Sequence, residues 1–92
     1  MKELLIEEEL AEVIDEVTDR EKLLLYNDDV NTFEHVIDCL VRICKHDLLQ
    51  AEQCTLLVHF KGKAVVKTGA RADLEAMCQA LLDEGLSAVV GE

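Results

Sequence analysis

The chain has 92 residues, with 20 acidic against 9 basic side chains and a formal net charge of −11. Half of the residues are hydrophobic, enough to build one small domain. The acid excess argues against nucleic acid, whose phosphates need a Lys/Arg footprint, and against an anionic membrane surface, while no apolar run approaches the roughly 18 residues of a transmembrane span.

The opening, MKELLIEEEL, is acidic, which a secretory signal or a transit peptide is not, so the cytoplasm is the expected compartment. Residues 1–21 hold nine acids and two bases, a net of −7, whereas residues 22–92 hold eleven acids and seven bases, a net of −4. This break divides an acidic N-terminal extension, 1–21, from a nearly balanced body, 22–92. Ile6, Leu10, Val13, Ile14 and Val17 fall at helical spacing. The acids of the extension are then either its solvated face or an interaction surface.

In the body, KLLLYN (22–27) is a short apolar run followed by a turn cluster, which predicts a strand. Asn31 is the expected N-cap of a first helix, with Glu34 at the N3 position of a capping box. Phe33, Val36, Ile37, Leu40 and Cys44 follow along one helical face, and Lys45–His46 suits the negative helix end. Asp47 caps a second helix, with Gln50 at N3, running towards His59 and broken by Lys61–Gly62–Lys63. AVVK (64–67) predicts a second strand, with Thr68–Gly69 as a turn. A third helix spans about Arg71 to Glu84, with Gly85 as its C′ stop, and LSAVV (86–90) predicts a third strand. The order β-α-α-β-α-β implies an α+β fold in two layers, three helices packed on a small three-stranded antiparallel sheet.

The chemistry-bearing residues are few. Cys39, Cys44, Cys54 and Cys78 form no CxxC pair and sit in apolar helical patterns, so they are expected to be reduced core thiols. His35 and Cys39, four apart on the first helix, supply only two of the four ligands a structural zinc takes; no metal and no other cofactor is expected. There is no P-loop, GxGxxG, GxSxG or HExxH, and Cys54 and His59 point to different sides of their helix, so the chain is not expected to be an enzyme.

Two clusters remain: Asn27–Asp28–Asp29 directly after the first strand, and Val58–His59 near the end of the second helix. Their simplest roles are an Asx turn with helix capping and a helix-terminal histidine satisfied by backbone. Together they would offer an amide oxygen, carboxylates and a neutral imidazole nitrogen, a set complementary to a primary ammonium. With Phe33, Val36 and Val58 beside it, such a clamp fits the free N-terminus of a peptide with a large hydrophobic first side chain. Sequence separation leaves open whether the clusters meet.

LLLYNDDVNTFEHVIDCL followed by LLVHFKGKAVV resembles the bacterial Clp protease adaptor ClpS family over about residues 22–90. The closing KTG and ALLDEGLSAVV are similar to its shorter variants. The resemblance implies the β-α-α-β-α-β fold and a role in binding N-degrons, proteins whose first residue is Leu, Phe, Tyr or Trp, for delivery to the N-terminal domain of a Clp AAA+ unfoldase of the ClpA or ClpC type. Carried over by position, Asn27 and His59 would bond the substrate α-amino group, and Asp28 and Asp29 would add negative potential and water-mediated contacts. Phe33, Val36, Val58 and Ala88 would form the hydrophobic pocket, and Asn31 would lie near the second substrate residue. The extension would be the part the unfoldase engages during delivery, and the chain would work as a monomer.

The sequence departs from the common family pattern. Thr-Pro-Met after the turn is replaced by Asn31–Thr32–Phe33, and Ala88 stands where leucine is frequent, so the preference among first residues is open. The segment between the second strand and third helix is shorter than in longer members, so the docking residues do not transfer. Two alternatives stay in view: a ClpS-like module with altered specificity, and a factor-docking domain like that of the ribosomal stalk protein, which ADLEAMCQALLDEGLSAVV also resembles.

Overall fold

The apolar run after residue 21 becomes the central strand. In the computed structural model, which describes residues 20–91, β1 (Glu21–Tyr26), β2 (Lys63–Gly69) and β3 (Ser87–Gly91) form one antiparallel sheet in the order β2-β1-β3. Leu23 and Leu25 point inward and are fully buried, while Lys22 and Tyr26 point outward, the period of two that a strand imposes. Being central explains the three consecutive leucines of β1, Leu23, Leu24 and Leu25. The other sheet face is open: Leu24 pairs with Val65 and Val89, which are both exposed. Residues 1–19 lie outside the described residues, and with them almost all of the acidic extension.

Three helices, α1 (Phe33–Ile43), α2 (Leu48–Lys61) and α3 (Arg71–Asp83), complete the order β-α-α-β-α-β. The expected capping of α1 is corrected by one residue. Thr32, not Asn31, is the N-cap, its Oγ1 accepting from the His35 N–H at 3.1 Å, because the Asn31 side chain is engaged elsewhere. The end of α1 also differs from expectation. Lys45 turns the chain at φ 63°. The His46 backbone N–H closes the helix end on the Leu40 carbonyl at 3.2 Å, but its side chain does not serve the terminus. It is buried with Nε2 donating to the Val66 carbonyl at 2.7 Å, which pins the α1–α2 turn to β2. Asp47 caps α2 as expected, accepting from the Gln50 N–H at 2.8 Å. Gly62 ends α2 at φ 89° and Gly85 follows α3 at φ 89°, backbone that a Cβ disfavours.

Leu40, Leu74 and Leu81 meet Leu23 and Leu25 in the core, each worth about 1.5–3 kcal/mol on burial. All four cysteines are free thiols. Desolvation raises the pKa of each, Cys44 to about 11, so they are poor nucleophiles at neutral pH. Among the described residues no helix is long and apolar enough to cross a membrane.

Candidate functional site

Strand pairing brings the two polar clusters together. Tyr26 pairs with Lys63 at the open end of the sheet, and the Asn27 N–H donates to the Gly62 carbonyl at 2.9 Å. The loop after β1 therefore starts against the end of α2, less than one helical turn from His59.

Two of its residues fix the loop's course. Asp28 Oδ1 accepts from the N–H groups of Val30 and Asn31, both at 2.8 Å, and Oδ2 accepts from Asn31 Nδ2 at 2.9 Å. This is an Asx turn reinforced by a side chain. The bonds from Asn31 hold the Asp28 pKa below the ordinary carboxylate value, since they favour the charged form. Asn31 Nδ2 also donates to the Gly85 carbonyl at 2.9 Å, which ties the loop to the turn between α3 and β3. That bond joins residues 54 apart, so spacing in the sequence does not reveal it.

Between these anchors lies a cavity of about 250 Å³. Asn27, Asp28, Asp29, Asn31 and His59 supply its polar edge, and Leu25, Val36, Thr55, Val58 and Leu86 its largely buried floor. The Thr55 hydroxyl donates to the Ala51 carbonyl at 2.8 Å, so it makes no unpaired demand on the floor. Phe33 stands over the edge, half exposed, with its ring T-shaped to His59 at a centroid distance of 5.1 Å. Phe60 lies on the His59 ring as well, at 5.2 Å. Among the described residues no hydrogen bond engages the His59 ring or the Asn27 and Asp29 side chains. The expected backbone partner for His59 is therefore absent, and its imidazole is positioned by ring contacts alone.

Of the residues singled out from the sequence, Asn27, Asp28, Asp29, Asn31, Phe33, Val36, Val58 and His59 all border this cavity. Ala88 does not: it is buried in β3, paired with Leu25, and its carbonyl accepts from the Cys78 thiol. Leu86 takes the wall position instead, because the chain enters the cavity at the Gly85 turn before β3 begins. Leu86 and Thr55 were missed from the sequence. Thr55 lies four residues before His59, one helical turn away, a signal that was available.

A second cluster lies outside the cavity. His35 and Cys39 meet Glu84, and one ligand atom from each lies within 4.8 Å of the others.

The family model described as ATP-dependent Clp protease adaptor protein ClpS matches residues 16–89. The ClpS adapter of Synechocystis sp. is 42% identical over 67 residues, covering 72% of this chain and 68% of that protein. The Nostoc sp. ClpS adapter is 39% identical over 69 residues, covering 72% and 69%. Among solved structures, Agrobacterium tumefaciens ClpS2 bound to L-phenylalaninamide superposes with a TM-score of 0.74 at 23% identity, over 77% of this chain and 93% of that one, which shows a shared fold.

Proposed function

The chain belongs to the ClpS family and is an adaptor of the ATP-dependent Clp protease, not an enzyme; from that premise we propose that its cavity captures N-degrons, proteins with a free α-amino group and a large hydrophobic first residue. The observation that carries this reading is the pairing, in one cavity, of an apolar floor with the Asn27, Asp29 and His59 side chains, which lack hydrogen-bond partners among the described residues. Asn27 Oδ1 and a neutral His59 nitrogen accept from the substrate ammonium, and the Asp28 and Asp29 carboxylates make its surroundings negative. The first side chain descends onto Val36, Val58 and Leu86. An engineered apolar cavity of roughly 150 Å³ accepts benzene, so about 250 Å³ suits a Leu or Phe side chain.

The energetics fit a reversible carrier. A charge-assisted hydrogen bond contributes about 1.5–3 kcal/mol, and burying a Leu or Phe side chain a similar amount. Two or three such contacts, less the association cost, reach micromolar affinity, about −8 kcal/mol. Asn31, at the loop edge, borders the second substrate residue. Phe33 guards the mouth: its ring is bulkier and stiffer than a methionine at the same place, so it shapes the preference among Leu, Phe, Tyr and Trp. The amino-acid amide named with the Agrobacterium neighbour is the simplest mimic of such an N-terminus, and supports the assignment.

Delivery then goes to the N-terminal domain of a ClpA- or ClpC-type unfoldase, in the cytoplasm, by a monomeric adaptor whose extension ahead of β1 is engaged by the unfoldase. Glu21, assigned to that extension from the sequence, is instead the first residue of β1 and is ion-paired to Arg71. Removing residues 1–19 is expected to leave peptide binding intact and impair delivery. The stalk-like alternative is dropped, because the ClpS match spans the same C-terminal helix and strand. The deciding experiment is fluorescence anisotropy with peptides differing only in their first residue, each free or N-acetylated. Leu- or Phe-initiated peptides should bind and acetylation should abolish binding. Equal binding of the free and acetylated forms overturns the proposal, and tight binding of a small or polar first residue establishes altered specificity.

A further inference from the structure

We propose that His35, Cys39 and Glu84 form a binding site for a thiophilic divalent cation of the Zn²⁺ class, separate from the peptide cavity. The site starts from helical spacing: residues four apart on α1 share one face, so the His35 ring and the Cys39 thiol stand together. The end of α3 closes on them. His35 Nε2 lies 3.7 Å from Cys39 Sγ, 3.9 Å from Glu84 Oε1 and 2.9 Å from the Glu84 carbonyl oxygen. A tetrahedral zinc with ordinary bond lengths needs ligand edges of roughly 3.6 Å for N···S and 3.4 Å for N···O. The N···S edge is thus close to closed, whereas the three side-chain ligand atoms lie only within 4.8 Å of one another and the 2.9 Å edge to the carbonyl is shorter than an ion needs. Glu84, the least buried ligand, therefore has to shift by about 1 Å to close the site.

Charge and chemistry agree with that geometry. The Glu84 carbonyl sits at the C-cap of α3, where the helix end is partially negative, and it supplies the fourth ligand, the second oxygen of the set. A cation already stands at the rim: Arg42 Nη2 is 3.6 Å from Glu84 Oε2 and 3.9 Å from Cys39 Sγ. Its guanidinium is half exposed and is held from the other side by Asp38 at 2.7 Å, so it can withdraw towards Asp38 and solvent. Sulfur with imidazole selects zinc-like ions over magnesium or calcium, which take oxygen sets. Without metal, Nε2–H donates to the Glu84 carbonyl; on binding, the ring takes the Nδ1–H tautomer, the Cys39 thiol releases its proton to solvent, and a metal–thiolate bond forms without any redox change. The ion would fasten the first turn of α1 to the α3–β3 turn, and these two segments also carry Val36 and Leu86 of the cavity wall.

The inference does not depend on what the cavity binds. The test is titration of the full chain with Co²⁺, followed by the thiolate-to-metal charge-transfer band, and then displacement by Zn²⁺. A single equivalent producing that band is expected. Cys39→Ser should remove the band. His35→Ala and Glu84→Gln, at partly exposed positions that spare the core, should each weaken binding by at least about tenfold, while Cys54→Ser leaves it unchanged. Residues 1–21 contain neither Cys nor His, so cobalt held by their carboxylates alone gives no such band. Absence of the band, its persistence in Cys39→Ser, or indifference to both His35→Ala and Glu84→Gln overturns the proposal.

Discussion

Within a single loop, alternate polar residues have opposite fates. Asp28 and Asn31 direct their side chains into the fold: one carboxylate accepts three hydrogen bonds, and one amide group bridges Asp28 and Gly85. Asn27 and Asp29, their neighbours, direct no side-chain bond into the described residues, and neither does His59 across the cavity. The first pair builds the loop, and the second group remains available at its surface. The motif Asn-Asp-Asp thus combines two functions that its spelling does not separate. If this division is right, substitutions in the two groups should affect different measurements.

The largest effect is expected from the unpartnered group. Asn27→Ala and His59→Ala should each weaken binding of a Leu-initiated peptide by the worth of one charge-assisted bond, about 1.5–3 kcal/mol or roughly 10- to 100-fold in Kd. Neither should move the thermal midpoint by more than a surface substitution does. Calorimetric titration beside a thermal melt separates the two readouts. A large loss of stability in either variant would put that side chain with the builders instead.

The builders should show the reverse order. Asp28→Ala removes the acceptor for two backbone N–H groups and one amide, and should cost about 1–2 kcal/mol of stability. Asn31→Ala loses the tie to Gly85 and should cost about 0.5–1.5 kcal/mol. Denaturant midpoints at constant m-value check both. Peptide affinity should fall less than in His59→Ala, since neither side chain bonds the α-amino group directly: Asp28→Ala removes long-range negative charge and shifts Asn27, and Asn31→Ala touches only the second substrate residue.

The division also marks how far the sequence could be followed. Local chemistry was legible: the Asp47 cap, the Gly62 and Gly85 stops and the order of the six elements follow from neighbours within a few residues. What depended on distant partners was not. Asn31 satisfies every local criterion for an N-cap, yet Thr32 caps the helix because Asn31 reaches Gly85. His46 suits a helix terminus, yet it bonds Val66 on β2. Ala88 holds a wall position by alignment, yet it is buried in β3 opposite Leu25, and Leu86, just after the Gly85 turn, borders the cavity. Glu84, which completes the cluster with His35 and Cys39, has no local signature at all.

The smallest expected effect tests whether Asp28 acts as an anion or merely as an acceptor. Its folded pKa lies below the ordinary aspartate value of 3.8, chiefly through the backbone and side-chain bonds from Asn31. A depressed folded pKa means that the unfolded chain takes up the proton first, so the charge contributes stability that is fully present above about 3.8 and fades as pH falls through the lower folded value. Asp28→Asn keeps an oxygen acceptor for the two backbone N–H groups, removes the charge, and puts an amide NH2 where Oδ2 accepts from Asn31 Nδ2. Wild type should therefore be slightly more stable than Asp28→Asn at pH 7, and the difference should shrink only in strong acid. Because the carboxylate is only partly buried, solvent screens it and the difference is small. Urea midpoints of both proteins from pH 7 down to the acid limit of the fold decide the point. A gap that stays constant through that range would mean that the turn needs the Oδ2 acceptor for Asn31 and not the charge.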